Sequence, residues 1–157
     1  DSRHSVARAL NKSAPAALLA VWTGQSADTR QMMASMAQFK QAQPHLYRER
    51  MAQVAATAEA GIEAWQSYDA SRLVEAVRHS AEALDALGVD AKVSITIEAH
   101  RRLAAQVAEQ VGDGAAVKPS GAGGGDMALV VAQSPHQARA LSAYFQAQGY
   151  RSFGWIW

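Results

Sequence analysis

The sequence contains no cysteine. Disulfides and thiolate metal sites are thereby excluded, and nothing signals an oxidising compartment. It also lacks an excess of either charge. Fifteen Lys and Arg against 14 Asp and Glu leave a formal net charge of +1. No strong field recruits nucleic acid or anionic lipid. No apolar run approaches the ~20 residues needed to cross a bilayer, so no membrane span is expected. No charged-then-apolar leader pattern and no internal repeat is visible. The five histidines (His4, His45, His79, His100 and His136) lie far apart, and Glu98 with His100 does not complete a His-Glu-x-x-His pair. No metal site is read from them. What is present is 157 residues, 49% hydrophobic and 18% charged, which argues against disorder. A chain of this length makes one domain and buries roughly two thirds of its unfolded surface. The expected location is the cytoplasm. The first residue is Asp1, not Met, and the expectation is a piece of something longer.

Residues 1–15 are mixed and polar, without a clear period. Residues 16–22 (AALLAVW) form a short apolar run closed by Thr23-Gly24, which reads as a buried strand. Ser26 or Asp28 can cap a following helix, because a short polar side chain accepts from the free amides of the first turn. Met32, Met36 and Phe39 continue at helical spacing, and Met32, Met33 and Met36 read as core filler. After Pro44, the residues Met51, Val54, Ala58, Ile62 and Trp65 trace one stripe of a long amphipathic helix. Leu73, Val77, Ala81 and Leu84 trace a second, with Gly88 as its expected C-terminal cap. Val93, Ile95 and Ile97 alternate like a strand. The longer four-step series Ile95, Ala99, Leu103, Val107, Val111 favours a helix.

The texture then changes. Residues 115–118 read as a short strand and 127–132 (MALVVA) as a buried one. Ser134 and Pro135 are a cap and a first-turn proline, opening a helix with Ala138, Leu141 and Phe145 that ends at Gly149. Residues 151–157 are a last strand, with Phe153, Trp155 and Trp157 alternating to one face for sheet packing. Counting the helices between 27 and 111 as one enlarged crossover, the order is the β-α-β-β-α-β split motif of ferredoxin-like α+β folds.

Between the two middle strands lies Lys118-Pro119-Ser120-Gly121-Ala122-Gly123-Gly124-Gly125-Asp126. Consecutive glycines let backbone amides turn toward one point, and such nests bind phosphate oxygens. Lys118 would add a point charge and Ser120 a hydroxyl donor. A plain hairpin connection is the alternative that needs no ligand. The string is neither a Walker A loop, since Val117, Lys118 and Pro119 stand where Gly, Lys and Ser/Thr are required, nor a dinucleotide fingerprint, since Asp126 replaces the third glycine and a strand follows.

The whole string closely resembles the third conserved motif of the GHMP kinases, most of all in bacterial-type phosphomevalonate kinases. A second match is Trp22-Thr23-Gly24-Gln25-Ser26-Ala27-Asp28-Thr29, similar to the stretch that opens the C-terminal domain in that subgroup. Met127 stands where the family often has Cys, and Asp28 replaces a small hydroxyl residue. The resemblance covers about residues 16–157. It implies the family's C-terminal domain, a ferredoxin-like unit with extra helices, with residues 1–15 as the junction to an N-terminal domain. It implies a kinase moving the γ-phosphoryl of ATP to a small-molecule phosphate, 5-phosphomevalonate. ATP and Mg2+ would be held mainly by that N-terminal domain, which carries a Gly-Leu-Gly-Ser-Ser-Ala-type loop and the catalytic groups. No such loop exists in this sequence. No catalytic residue is therefore assigned here, and the fragment alone is expected to be inactive. The implied phosphate-binding residues are Lys118, Ser120, Gly121, Ala122, Gly123, Gly124, Gly125 and Asp126. Lys118 and Ser120 would touch the acceptor's phosphate, and Asp126 would cap the loop's own amides. The exposed half-interface could drive homodimers. The alternatives are another GHMP kinase, acting on mevalonate, homoserine or a sugar, and a non-catalytic ferredoxin-like binding module.

The remaining candidates carry bland readings. Arg101-Arg102 and the Arg48–Arg50 pair read as solvated helix faces. Asn11-Lys12-Ser13 matches a glycosylation pattern by chance.

Overall fold

A computed structural model describes residues 14–155. The 1–13 segment with His4 and the Asn11 pattern, and Trp157, lie outside the described residues.

Four strands form one antiparallel sheet: β1 (Ala17–Trp22), β2 (Ala115–Pro119), β3 (Met127–Ala132) and β4 (Ser152–Trp155). Their order is β2-β3-β1-β4. The central β3 therefore runs antiparallel to β1 on one side and to β2 on the other, with Ala132 opposite both Ala17 and Ala115. This is the split order expected from the sequence: the strand joined to β1 by the long crossover is displaced from it by β3.

Five α-helices complete the described residues: α1 (Thr29–Ala42), α2 (Pro44–Gln66), α3 (Ala70–Ala91), α4 (Glu98–Val111) and α5 (Pro135–Ala147). Short polar side chains start three of them. Asp28 accepts from the Gln31 amide, Asp69 from that of Arg72 and Ser134 from that of Gln137. Pro44 occupies the first turn of α2, where a missing N–H leaves no bond unmade.

The sheet is covered on both faces over β1, β2 and β3, and its two-residue period sorts the core; on the edge strand β4 Phe153 is exposed, against the expected sheet packing. Leu19, Val21, Val117, Ala128 and Val130 point to one side, against Leu103 and Val107 of α4 and Leu141 and Phe145 of α5. Leu18, Ala116, Leu129 and Val131 point to the other, against Ala64 and Trp65 of α2 and Leu73 and Val74 of α3. A third cluster lies away from the sheet. Phe39 of α1, Leu87 and Ala91 of α3 and Val93 and Ile95 of the following segment gather there, with Met32 and Met36 packed on them.

Four expectations about α1, α2 and α3 change. The stripe Met51, Val54, Ala58, Ile62 and Trp65 is only in part the packed face of α2: Val54 and Trp65 are half-buried against core clusters, Met51, Ala58 and Ile62 are exposed, and Ala64 is buried. The helix packs on α3 through small and polar positions such as Gly61, 3.9 Å from Ala76 once a Cβ is imagined, and through an Arg50–Asp90 ion pair at 2.6 Å. Arg50 thus bridges two helices, with Asp90 holding its guanidinium above the usual range, where the sequence suggested a solvated face. Gly88 is not a cap. It is buried within α3, where a Cβ would meet the Val93 carbonyl at 2.7 Å, and Lys92 takes the left-handed cap at φ 54°. Met33 is 69% exposed and fills no core.

Candidate functional site

The glycine hairpin leaves the sheet at the end of β2 and returns at β3. Its base is closed by the Ser120 amide donating to the Met127 carbonyl at 2.9 Å. Beyond that bond the chain is left-handed at Gly121 (φ 59°), Gly123 (78°), Gly124 (77°) and Asp126 (55°). Aspartate tolerates this region better than most residues, so a non-glycine can close the loop.

Two neighbouring segments hold the hairpin. The first is the Trp22-Thr23-Gly24-Gln25 stretch. The Thr23 amide and hydroxyl both donate to the Asp126 carbonyl, at 2.9 and 3.0 Å. The Asp126 amide donates to the Gln25 carbonyl at 2.7 Å. The two stretches singled out in the sequence, about 100 residues apart, are thus joined backbone to backbone. The second support is the 93–97 segment between α3 and α4. The Gly124 amide donates to the Ile95 carbonyl at 2.8 Å. A Cβ on Gly123 would overlap that same carbonyl and come within 2.8 Å of the Ile95 Cγ2 methyl. A Cβ on Gly124 would meet the Met32 sulfur at 2.6 Å. Gly123 is required by close packing on the Ile95 backbone as well as by its φ angle; at Gly124 the neighbour is the end of a flexible methionine, so its φ of 77° is the stronger demand.

The packing decides which amides remain available. Those of Ser120, Gly123, Gly124 and Asp126 are used within the chain, and those of Gly121, Ala122 and Gly125 have no partner among the described residues. Gly121 and Ala122 form the exposed tip, beside the exposed Ser120. Lys118 is half-buried on β2 and its Nζ donates to the Pro119 carbonyl at 2.8 Å. Burial pushes its ammonium below the usual lysine range. Asp126 keeps its carboxylate exposed. Its backbone makes the anchoring bonds, and no loop amide donates to its side chain, unlike the expected cap.

A cavity of about 250 Å³ opens beside Gly124, lined by Asp28, Gln31, Met32, Ser35, Lys92 and Ser94. It lies at the start of α1 and below the ~300–1,000 Å³ of a complete small-molecule site. Among the described residues no group of three or more His, Asp or Glu could hold a metal ion. Among the described residues, no helix is long and apolar enough to cross a membrane.

The four-step series predicts a helix from Ile95, but residues 93–97 are irregular and α4 starts only at Glu98, because the Ile95 amide turns back to the Val93 carbonyl. In the sequence, His100 stands out only as a failed partner of Glu98. His100 lies in the first turn of α4, 2% exposed, with its Nδ1 accepting from the Ile97 amide at 3.2 Å. Its Nε2, like the Thr96 hydroxyl, is buried without a hydrogen-bond partner among the described residues. Burial, reinforced by the Arg101 and Lys118 cations, pushes the imidazole below the usual histidine range.

No known family model matches the sequence, and no curated protein matches it. Solved structures do match the fold. A Lin0012 protein from Listeria innocua superposes with a TM-score of 0.77 at 24% identity, over 87% of this chain and 38% of that one. The L. major mevalonate kinase in complex with R-mevalonate gives 0.71 at 22%, over 84% and 38%. The Streptococcus pneumoniae phosphomevalonate kinase, in complex with phosphomevalonate and AMPPNP, gives 0.68 at 20%, over 89% and 40%. This chain therefore spans about two fifths of each of these proteins. The likeness establishes the fold: the α+β, split β-α-β unit with extra helices that forms the C-terminal domain of GHMP kinases.

Proposed function

We propose that this chain is the C-terminal domain of a GHMP kinase and works within a longer ATP-dependent phosphotransferase. The observation that carries this reading is the pinning of the 118–126 hairpin by the Thr23–Gln25 stretch, at bonds of 2.7–3.0 Å. Two stretches that resemble one family's motifs come together, on a fold shared with two kinases of that kind.

The reaction forms a bond between the γ-phosphorus of ATP and an acceptor phosphate oxygen, and breaks the bond to the β-phosphate oxygen, releasing ADP. Two anions must approach, so the task of the protein is positioning and charge neutralisation. On this reading the hairpin is one wall of the cleft. The free Gly121 and Ala122 amides and the Ser120 hydroxyl donate to phosphate oxygens at the tip. The Lys118 ammonium swings from the Pro119 carbonyl to the acceptor phosphate, a partner that compensates its burial better than a neutral carbonyl does. The small cavity beside Gly124 fits half of a site completed by a second domain. Mg2+ has no ligand set among the described residues, so no step is assigned to it here.

We take 5-phosphomevalonate as the acceptor from the Lys118-x-Ser120 lead-in. The superpositions do not separate the two kinases, 0.71 for the mevalonate kinase against 0.68 for the phosphomevalonate kinase, so mevalonate is the second reading. A panel of acceptors with the full-length enzyme tests the choice. Turnover of 5-phosphomevalonate well above mevalonate, homoserine and sugars is expected, and preference for another acceptor refutes it. The 157-residue chain alone is expected to turn over no ATP. Clear turnover by the purified chain would overturn the assignment of the catalytic groups to another domain. An upstream reading frame without a Gly-Leu-Gly-Ser-Ser-Ala-type loop would favour the binding-module alternative.

A further inference from the structure

Helix α4 starts at Glu98, which makes Ile97 its N-cap and His100 its third residue. At that third position a Glu or Gln often reaches back to the N-cap amide. Here a histidine does so, through Nδ1. An accepting Nδ1 carries no proton, so the bond requires the neutral ring with its proton on Nε2.

The amide that His100 holds ends the segment on which the glycine loop rests. At its other end the Val93 amide donates to the Gly88 carbonyl at 2.8 Å. Midway, the Ile95 amide turns back to the Val93 carbonyl at 2.8 Å, and the Ile95 carbonyl receives the Gly124 amide. Ile95 is 5% exposed and belongs to the third core cluster, so it is fixed from below.

We infer that His100 is a positioning residue for the glycine loop: by accepting from Ile97 it holds the Ile95 carbonyl where Gly123 and Gly124 need it, and protonation of its ring releases that hold. Protonated, Nδ1 becomes a donor and the Ile97 bond is lost. The new cation also meets like charges. Arg101 of α4 and Lys118 of β2 are the charges that act on the ring. Asp85 of α3 is engaged with Arg101 at 2.7 Å. Asp113, in the 3-10 turn after α4, is exposed and lies 3.6 Å from Arg78. Glu98 and Arg102 of α4, and His136 and Arg139 of α5, are exposed. No carboxylate pairs with the ring among the described residues, so nothing in this setting favours the charged form. The consequence for phosphate handling rests on the function proposed above; the geometric claim does not.

The test is an amide-resolved NMR titration of the 15N-labelled chain from pH 8 to pH 5, beside His100→Gln and His100→Leu. In the wild type the Gly124 amide is expected to shift with the midpoint of the His100 ring. His100→Gln supplies an uncharged acceptor, so it should keep the pH 8 position of Gly124 and abolish the shift. His100→Leu should displace Gly123 and Gly124 at every pH. A Gly124 amide blind to the His100 midpoint, or an unchanged shift in His100→Gln, overturns the inference. Should unfolding precede the titration, the pH 8 spectra decide, and the same Gly123 and Gly124 positions in all three proteins overturn it. If His100→Leu does not fold, the wild type and His100→Gln still decide: at pH 8, displacement of Gly124 by the glutamine also counts against the inference. Addition of 5-phosphomevalonate at pH 8 separates the two proposals. Silence at Ser120, Gly121 and Ala122 would count against the phosphate reading and leave the role of His100 standing.

Discussion

Gly123→Ala is the sharpest probe of how the loop is held. The residue sits at φ 78°, where an L side chain costs about 1–2 kcal/mol. The added methyl would also overlap the Ile95 carbonyl and lie 2.9 Å from the carbonyl carbon. These are backbone atoms and cannot turn aside as a flexible side chain would. Ile95 is further fixed by its own burial and by the Gly124 amide. Forcing a methyl into such a contact costs about 1–3 kcal/mol more. The sum is about 2–5 kcal/mol, or a fall in Tm of roughly 4–20 °C for a chain of this size. Gly121→Ala is the control. It is also left-handed, at φ 59°, but nothing lies within 4 Å of its imagined Cβ, so only the conformational cost of about 1–2 kcal/mol applies. Urea melts of both variants at pH 8 measure the difference. Equal losses would refute the close approach of the loop to Ile95, whatever the enzyme does.

Three further outcomes are expected. Lys118→Met removes a half-buried ammonium whose partner is a neutral carbonyl, so Tm should hold or rise while the full-length enzyme shows a raised acceptor KM and unchanged ATP binding; wild-type kinetics would remove Lys118 from the site. Thr23→Val deletes the hydroxyl donor to Asp126, a loss of about 1 kcal/mol in urea melts, and a variant as stable as wild type would show that the backbone bonds alone hold the loop. Because the His100 pKa is lowered on folding, the unfolded chain binds the proton first; the contribution of His100 to unfolding free energy is therefore flat above about pH 6.5 and falls as pH drops below it, a slope that His100→Gln should remove.

The sheet was legible because its strands obey the period of two and end at turn residues. The 127–132 run coincides with β3, and 16–22 misses β1 by one residue. The helix starts at Ser134 and, with Ser26 as the alternative, at Asp28 were legible for a local reason: capping is decided within three residues. The buried face of α2 was legible only in part. Val54 and Trp65 of its apolar stripe pack on the core, but Met51 and Ile62 do not, and the helix lies on α3 through Gly61, Ala64 and the Arg50–Asp90 pair. Close helix approach selects small side chains, and a reading that counts only large apolar residues rotates the face away from them. Gly88 misled in the same way. A glycine near a helix end suggests a cap, but this one makes room for the Val93 carbonyl, whose approach depends on where the next segment runs.

The candidate site divides along the same line. The glycine string suggested flexibility and an amide nest, and the Gly121 and Ala122 amides have no partner among the described residues. Gly123 and Gly124 serve a different requirement, since their missing side chains let the hairpin lie on Ile95 and Met32. No local pattern could separate the two purposes, because both demand glycine at positive φ. The distinction matters for chemistry. A loop of free glycines would lose much conformational entropy on ordering around a ligand. A loop tied to Thr23, Gln25 and Ile95 has met most of that cost in folding, and on the proposed phosphate reading its tip needs little further ordering. On the proposed reading the glycine-rich composition and a rigid anion wall are compatible: the freedom the sequence advertises is spent on packing at positions 123 and 124, and what would face the ligand is the short tip those two residues hold in place.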